Sequence, residues 1–381
     1  MVAINQNHLT HIDKINLGAF YTPQKYIKKV WDYIGHFVDE KSVILDSSCG
    51  YGNFFKNVNQ NCKLIANDID KIASEQTKFN FPYIEVFNKN ALLDVSRRAF
   101  DISDSQKLII IGNPPYNDTT SIIRNSIKSD KIFIDEDIKT RDYGMSFLLS
   151  YDKLKADIVC VLHPLSYLIK KSNFNLIKKF ANNYKLIDGI IIDSSTFKET
   201  SKGISFPILI ALYKRDTKGM DYEYIKNYTF KVYGGKEFKL NNFDYISNYI
   251  KKYPNKSAIY KNGDILFWTM RDINALKRNR TFVDNFSYNS IIVDKTKLIY
   301  YIYVDVFKQF SKRVPYYFGN MDVFINDQLF LEYKDYFVAE SISRNPFLKK
   351  YINFNQNIEI SKARSKIVEY FKRVLGDHFV Y

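Results

Sequence analysis

Short apolar runs alternate with amphipathic stretches from about residue 21 to residue 215. "YTPQKYIKKVWDYIGHFV" puts Ile27, Val30, Trp31, Ile34 and Phe37 at helical spacing, with Pro23 near the start, where a missing N–H costs least. In "SVILDSSCGYGNFF", Val43, Ile44 and Leu45 have the pattern of a buried strand, and the small residues after Asp46 that of a tight turn into a helix. "KLIANDID", "YIEVFNKNALL" and "KLIIIGNPPYN" repeat the short apolar run that ends in polar residues. A helix, "YGMSFLLSYDKLK", follows, then a strand, "ADIVCVLHPLSYL". Next come a helix, "NFNLIKKFANNYKL", and the strands "IDGIIIDSSTF" and "FPILIALYKR". Buried strands alternating with helices predict an α/β fold, a largely parallel sheet with helices on both faces.

After residue 215 the pattern changes. Residues 216–381 hold 27 Lys and Arg against 18 Asp and Glu, and roughly two thirds of the 30 tyrosines of the chain. The expected division is a domain over 1–215 and a second, basic and Tyr-rich, mixed α/β domain over 216–381. The chain of 381 residues is long enough for both, and its net charge of +15 favours a polyanionic partner, nucleic acid before an acidic membrane. Apolar runs such as "ISFPILIALY" are too short to span a bilayer, and "MVAINQNHLTHIDK" lacks the apolar core of a signal peptide. The expectation is a cytoplasmic, nucleoid-associated protein without a membrane partner. Cys49, Cys62 and Cys160 offer no disulfide framework or zinc knuckle, and the five histidines have no paired-ligand spacing, so no metal is expected.

Three loops carry candidate chemistry. Asp46, Gly50 and Gly52 directly follow a strand, where an open α/β sheet binds its ligands and where glycine lets backbone approach them. The loop is not GxGxxG and has no Lys-Ser/Thr pair, which disfavours a pyrophosphate cradle. An acid at the strand end suits a ligand with a cationic amino group. About twenty residues on, Asp68 in "ANDID" is placed to accept from two ribose hydroxyls, with Asp70 the weaker candidate. Asn90 can both donate to and accept from an adenine edge. His163, at the end of a predicted strand, is read as structural.

The third loop, "GNPPY", makes the pattern specific: the chain resembles the N6-adenine DNA methyltransferases, in which a strand ends in (D/N)PP(Y/F/W). "GAFYTP" is similar to that family's N-terminal cofactor motif and "LDSSCGYGNF" to its S-adenosylmethionine loop. The order "FYTP", cofactor loop, "NPPY", then a recognition domain resembles the γ class, as in type II restriction–modification systems, over about residues 18 to 215. The resemblance implies a Rossmann-like catalytic domain, S-adenosylmethionine as cofactor, a C-terminal target-recognition domain, double-stranded DNA as partner and a cognate restriction endonuclease acting on the same site. It implies that Tyr21, Thr22 and Pro23 contact the methionine part of the cofactor. Asp46, Cys49, Gly50 and Gly52 then shape its pocket, Asp68 holds its ribose and Ile69 packs on its base. Asn90 falls where the family has an acid on the cofactor adenine, a departure that weakens this contact.

The NPPY chemistry has a physical rationale. Adenine N6 is a poor nucleophile because its lone pair is delocalised into the ring. Acceptors on the Asn113 side chain and the Pro114 carbonyl, each taking one N6–H, favour a pyramidal nitrogen with its lone pair available. Pro114 and Pro115 stiffen the loop. Tyr116 offers a stacking face for a base flipped out of its duplex, and Phe197, with Phe206 as fallback, a second wall. Lys198, Lys202 and Arg215 are candidate phosphate contacts. RNA adenine and protein glutamine are alternative acceptors by the same logic. A DNA-binding subunit with a dead core is disfavoured by the intact Asn113, Gly50 and Asp68.

Overall fold

The computed structural model describes residues 22–56, 58, 61–116, 132–197 and 205–381. The Tyr21, Lys198 and Lys202 expectations lie outside the described residues. The chain divides into two compact units, the first ending at Glu237 and the second running Phe238–Tyr381.

In the first unit the apolar runs become strands: β1 (Val43–Asp46), β2 (Lys63–Asn67), β3 (Glu85–Phe87), β4 (Leu108–Gly112), β5 (Ile158–Pro164), β6 (Tyr184–Asp193), β7 (Pro207–Arg215) and β8 (Phe230–Val232). With a two-residue edge strand they form one sheet in the order β3-β2-β1-β4-β5-β7-β6-β8 and then the edge. β3, β2, β1, β4 and β5 are mutually parallel, while β7 runs antiparallel to both of its neighbours, β5 and β6. The mixed α/β fold with a large, mostly parallel sheet agrees with the sequence pattern.

Side-chain alternation along the strands gives the sheet two apolar faces. Ile44, Ile109, Ile111, Cys160, Leu162, Ile208 and Ile210 share one core with Tyr26, Ile27, Val30 and Ile34 of helix α1 (Gln24–Ile34). The alternate residue Tyr213 faces the other way and meets Phe180 ring to ring at 5.0 Å. Phe180 belongs to a helical segment that differs from expectation. The predicted continuous helix over 173–186 is split into Lys171–Leu176 and Lys178–Asn183, and Tyr184 already starts β6. Tyr184 pairs with Arg215, donates its hydroxyl to the Ala156 carbonyl at 2.6 Å and stacks on Phe180 at 4.4 Å. These non-local contacts override the local helical pattern. The strand expected over 156–168 likewise ends at Pro164, followed by a single helical turn, Ser166–Ile169.

The second unit is built on three helices, Leu298–Phe310, Asp327–Arg344 and Ile360–Leu375, with small antiparallel sheets of two and three strands. Its core is aromatic: Tyr303 stacks on Phe337 at 5.4 Å and donates to the Phe324 carbonyl, and Tyr370 donates to the Tyr303 hydroxyl. Buried Asp305 accepts from Thr281, Ser341, Arg344 and Asn345, which ties two of the helices and two loops together. Among the described residues, no helix is long and apolar enough to cross a membrane.

His163 is fully buried in the sheet. Its Nδ1 lies 3.0 Å from the Pro164 carbonyl and must carry the proton, so Nε2 accepts from the Tyr213 hydroxyl at 2.7 Å. Both nitrogens are satisfied in the neutral ring, and burial pulls the pKa down from 6.5 to about 4. The unfolded chain therefore binds the proton first as pH falls. His163 is expected to cost about 3 kcal/mol of stability between pH 6.5 and pH 4. The check is the difference between urea-unfolding profiles of wild type and His163→Gln, which should lose this part of the pH dependence.

Candidate active site

Parallel strands β2, β1 and β4 end together. Asp46 is level with Ala66 on one side and Ile111 on the other, so Asp46, Asn67 and Gly112 close three adjacent strands. The chain moves from β1 to β2 in one direction and reaches β4 on the other side. This reversal leaves a crevice beyond the strand ends, the usual ligand site of open α/β sheets.

The loop after β1 is shaped by glycine and by β2. Gly50 and Gly52 adopt left-handed backbone with φ of 53° and 75°. A Cβ on Gly52 would stand 2.8 Å from both Phe81 and Thr77. The Gly50 N–H donates to Asp68 Oδ2 at 2.8 Å, and Thr77 Oγ1 donates to the Gly50 carbonyl at 2.8 Å. Cys49 is buried, and its N–H donates to the Asn67 carbonyl at 2.9 Å. Asn67, fully buried, donates to the carbonyls of Ser47 and Lys89 and accepts from the Lys89 N–H. It clamps the β1 and β3 loops together. The sequence reading missed Asn67 and Thr77; the signal for Asn67 was a polar residue closing an apolar strand, as Asp46 does.

Two acids face this loop. Asp46 is buried, and its Oδ1 accepts from the Ser48 N–H at 3.1 Å while Oδ2 is buried without a hydrogen-bond partner among the described residues. Burial, with the Asp68 charge as a smaller cause, raises its pKa to about 8. Gly112, at φ 139°, lets β4 come this close, because a Cβ there would stand 2.7 Å from Asp46 Oδ1. Asp68 accepts one backbone N–H on each oxygen, from Gly50 and from Asp70, and burial raises its pKa to about 6. A carboxylate oxygen has capacity for a further donor. Asp70 is used otherwise: it caps helix α2 (Lys71–Asn80) by accepting from the Ile72 and Ala73 N–H groups.

The rim beyond β2 and β3 is partly apolar. Ile69 is 52% exposed, and Phe133 is 65% exposed. Asn88, also missed in the sequence, donates to the carbonyls of Asp68 and Ile69 and fixes that corner. Asn90 spends its amide internally, donating to the Phe133 carbonyl at 2.6 Å and accepting from the Leu92 N–H. It thereby holds Phe133 at the rim.

On the other side of β1, Asn113 leaves β4. Its Nδ2 lies 3.2 Å from Thr22 Oγ1, and its Oδ1 is buried without a donor among the described residues. Donation to Thr22, 91 residues away in sequence, uses the NH₂ end of the amide and leaves the oxygen as the available acceptor. Thr22 is buried just before Pro23, which caps α1 and receives the Tyr26 N–H on its carbonyl. Pro114 is buried, while Pro115 and Tyr116 are half-buried. Tyr116 lies against the core under α1, and desolvation raises its hydroxyl pKa. Gly144 admits Tyr116, since a Cβ there would stand 3.0 Å from the Tyr116 Cβ.

Phe197 is 2% exposed and Phe206 half-buried, both in the core that also receives Tyr116. The Phe197 ring lies 6.5 Å from that of Tyr26. Arg215 bonds the Tyr184 hydroxyl and pairs with Asp152 at 3.7 Å. Among the described residues no group of His, Cys, Asp and Glu could hold a metal ion.

No protein-family profile and no curated protein matches the chain. Several solved structures resemble it. One, from Vibrio vulnificus, is provisionally described as a modification subunit of a type I restriction enzyme; it is 15% identical with a TM-score of 0.41, over 60% of this chain. The chain spans about half the length of that protein, 51%. A second, from Listeria monocytogenes, is provisionally described as a class I S-adenosylmethionine-dependent methyltransferase, with 15% identity and a TM-score of 0.37 over 52% of this chain and 62% of its own. A third is a dimethyladenosine transferase from Plasmodium falciparum, with 15% identity and a TM-score of 0.35, over 52% of this chain and 63% of its own.

Asp46 gives a test of the site's electrostatics in the ligand-free protein. With a pKa near 8 folded and 3.8 unfolded, it holds a proton that the unfolded chain has lost, so it costs stability increasingly as pH rises from 4 to 8. Asp46→Asn is expected to stabilise the free protein at pH 7 by on the order of 4 kcal/mol. Near pH 4 it should be neutral. Urea midpoints at several pH values read this directly.

Proposed function

We propose that the first unit is an S-adenosylmethionine-dependent methyltransferase acting on the N6 amine of an adenine in double-stranded DNA. The observation that carries this reading is the Asn113 amide, whose oxygen, at the end of a central strand, is buried without a donor among the described residues while Thr22 holds its nitrogen. A buried unpaired acceptor is costly, and a ligand N–H repays that cost.

The crevice suits the cofactor. The unpaired Asp46 Oδ2 can receive an α-ammonium, Asp68 retains lone pairs for ribose hydroxyls, and exposed Ile69 and Phe133 offer apolar surface to a flat base. When bound, the cofactor would supply a methyl group on a sulfonium that leaves as a neutral thioether, while the methylated N6 gives up one proton to solvent, so no side chain has to protonate a leaving group. The work left to the chain is positioning and electrostatics. Asn113 Oδ1 and the Pro114 carbonyl each take one N6–H, which draws the nitrogen out of conjugation with the ring. Thr22 fixes which end of the amide faces the amine. Tyr116 supports the base, and stacking of roughly 1–3 kcal/mol offsets much of the cost of extruding it. The basic residues of 216–381 serve duplex recognition, beside a cognate endonuclease where the enzyme belongs to a restriction–modification system.

The test is incubation of the full chain with labelled cofactor and genomic DNA, total RNA or protein, followed by modification-aware sequencing of the DNA. Label in N6-methyladenine at a defined sequence is the expected result. Label confined to RNA or protein overturns the DNA assignment, and no transfer at all overturns the activity. Asn113→Ala should lower the transfer rate about 100-fold or more while cofactor affinity stays within about twofold. Thr22→Val should lower kcat about tenfold with little change in KM, since it removes orientation and leaves the acceptor.

A further inference from the structure

Seven aromatics of the second unit are exposed, and three of them gather at one place with an exposed isoleucine. Tyr288 is fully exposed at 100%, Ile259 at 82%, Phe286 at 47% and Tyr260 at 38%. They come from two loops of one small sheet, in which β9 (Leu266–Trp268) lies between β10 (Phe282–Val283) and β11 (Ser290–Ile292). β10 and β11 both run antiparallel to β9, so residues 284–289 must cross from one side of it to the other. Residues 255–264 lead into β9.

The loops meet through the Tyr260 and Phe286 rings, stacked with centroids 5.2 Å apart and planes at 17°. Turn bonds hold each loop: Ser257 N–H to Asn255, Asp264 N–H to the Lys261 carbonyl, and Ser290 N–H to the Ser287 carbonyl. Tyr351 anchors the first loop by donating to the Gly263 carbonyl at 3.2 Å. The aromatic tip is therefore built, and exposing that much apolar surface is unfavourable unless something covers it.

Charge identifies the cover. Residues 251–297 hold ten Lys and Arg against four Asp. Lys256, Lys261, Arg278 and Arg280 are exposed, and no ion pair joins them to an acid among the described residues. Aromatic faces interleaved with unpaired cations fit a polyanion carrying flat, stackable groups.

We propose that the Ile259–Tyr260 and Phe286–Tyr288 loops form a DNA-binding tip that stacks on unpaired or unstacked bases, while the surrounding Lys and Arg hold the phosphates. The inference rests on the reading of the acceptor as DNA and gives the second unit a role in it: stabilising the distorted duplex that base extrusion creates.

The experiment uses the full chain and fluorescence anisotropy with a fully paired duplex, the same duplex carrying a short mismatched bubble, and an RNA hairpin of matching sequence. Wild type should favour the bubble over the paired duplex by about tenfold. Phe286→Ala with Tyr288→Ala should abolish that preference and leave unfolding by urea unchanged. Lys256→Gln with Lys261→Gln should weaken binding to both DNAs and reduce the slope of log affinity against log salt by about two. Bubble preference that survives in the aromatic variant overturns the proposal, as does tighter binding of the RNA hairpin. The two readings separate: wild-type transfer to DNA with an unaltered bubble preference in the variant sinks the tip alone. Tip-dependent bubble binding without transfer to DNA sinks the reaction alone.

Discussion

A buried carboxyl oxygen with no partner is the constraint around which the first unit is arranged. Asp46 occupies the end of β1, between β2 and β4, where water is excluded. Isolated burial of an ionised carboxylate costs far more than a single fold can spare, and the group responds by keeping its proton. Its neighbours look built to leave Oδ2 unsatisfied: Ser48 bonds only Oδ1, Gly112 brings β4 close without filling the space, and Asn67 ties down the surrounding loops. A fold selected only for stability has simpler choices at this position. Under the proposed reading, the α-ammonium of the cofactor would complete the arrangement.

Much of this was legible in the sequence, because the relevant signals are local. Apolar runs of four or five residues ending in Asp, Asn or Gly located β1, β2 and β4, and the fold class followed from their alternation with helices. The split helix around Lys171–Asn183 was not legible, because it depends on Tyr184 meeting Phe180, Ala156 and Arg215. The site divided in the same way. Asp46, Gly50, Gly52, Asp68 and Asn113 stood out by position in their motifs, whereas Asn67, Thr77, Asn88 and Gly144 act through partners distant in sequence. Asn90 illustrates the limit: its residue type allowed a ligand contact, yet its amide is committed to Phe133 and Leu92.

The second unit shows why composition alone misleads about aromatic residues. Its tyrosine content points towards nucleic acid, but Tyr301, Tyr303 and Tyr370 are buried in its core. There the hydroxyls of Tyr303 and Tyr370 bond each other and a backbone carbonyl, which makes large polar-tipped rings tolerable inside. Only after the core has taken its share does the remaining exposed set acquire meaning. One part of it, Ile259, Tyr260, Phe286 and Tyr288, is gathered on two loops in a part of the chain with a clear excess of positive charge, while Tyr253 and Tyr381 are exposed elsewhere in the chain.

The hydrogen bond between Asn113 and Thr22 has a consequence for how such a chain can be altered. The five residues from Gly112 to Tyr116 look like a transferable cassette, complete in themselves. Their amide nevertheless takes its orientation from a residue 91 positions earlier, on the approach to α1. A chimera that inherited the cassette without that approach would carry the acceptor but not its aim. Recombination at this site would keep that aim only when both segments travel together, even though four strands of the sheet lie between them in sequence.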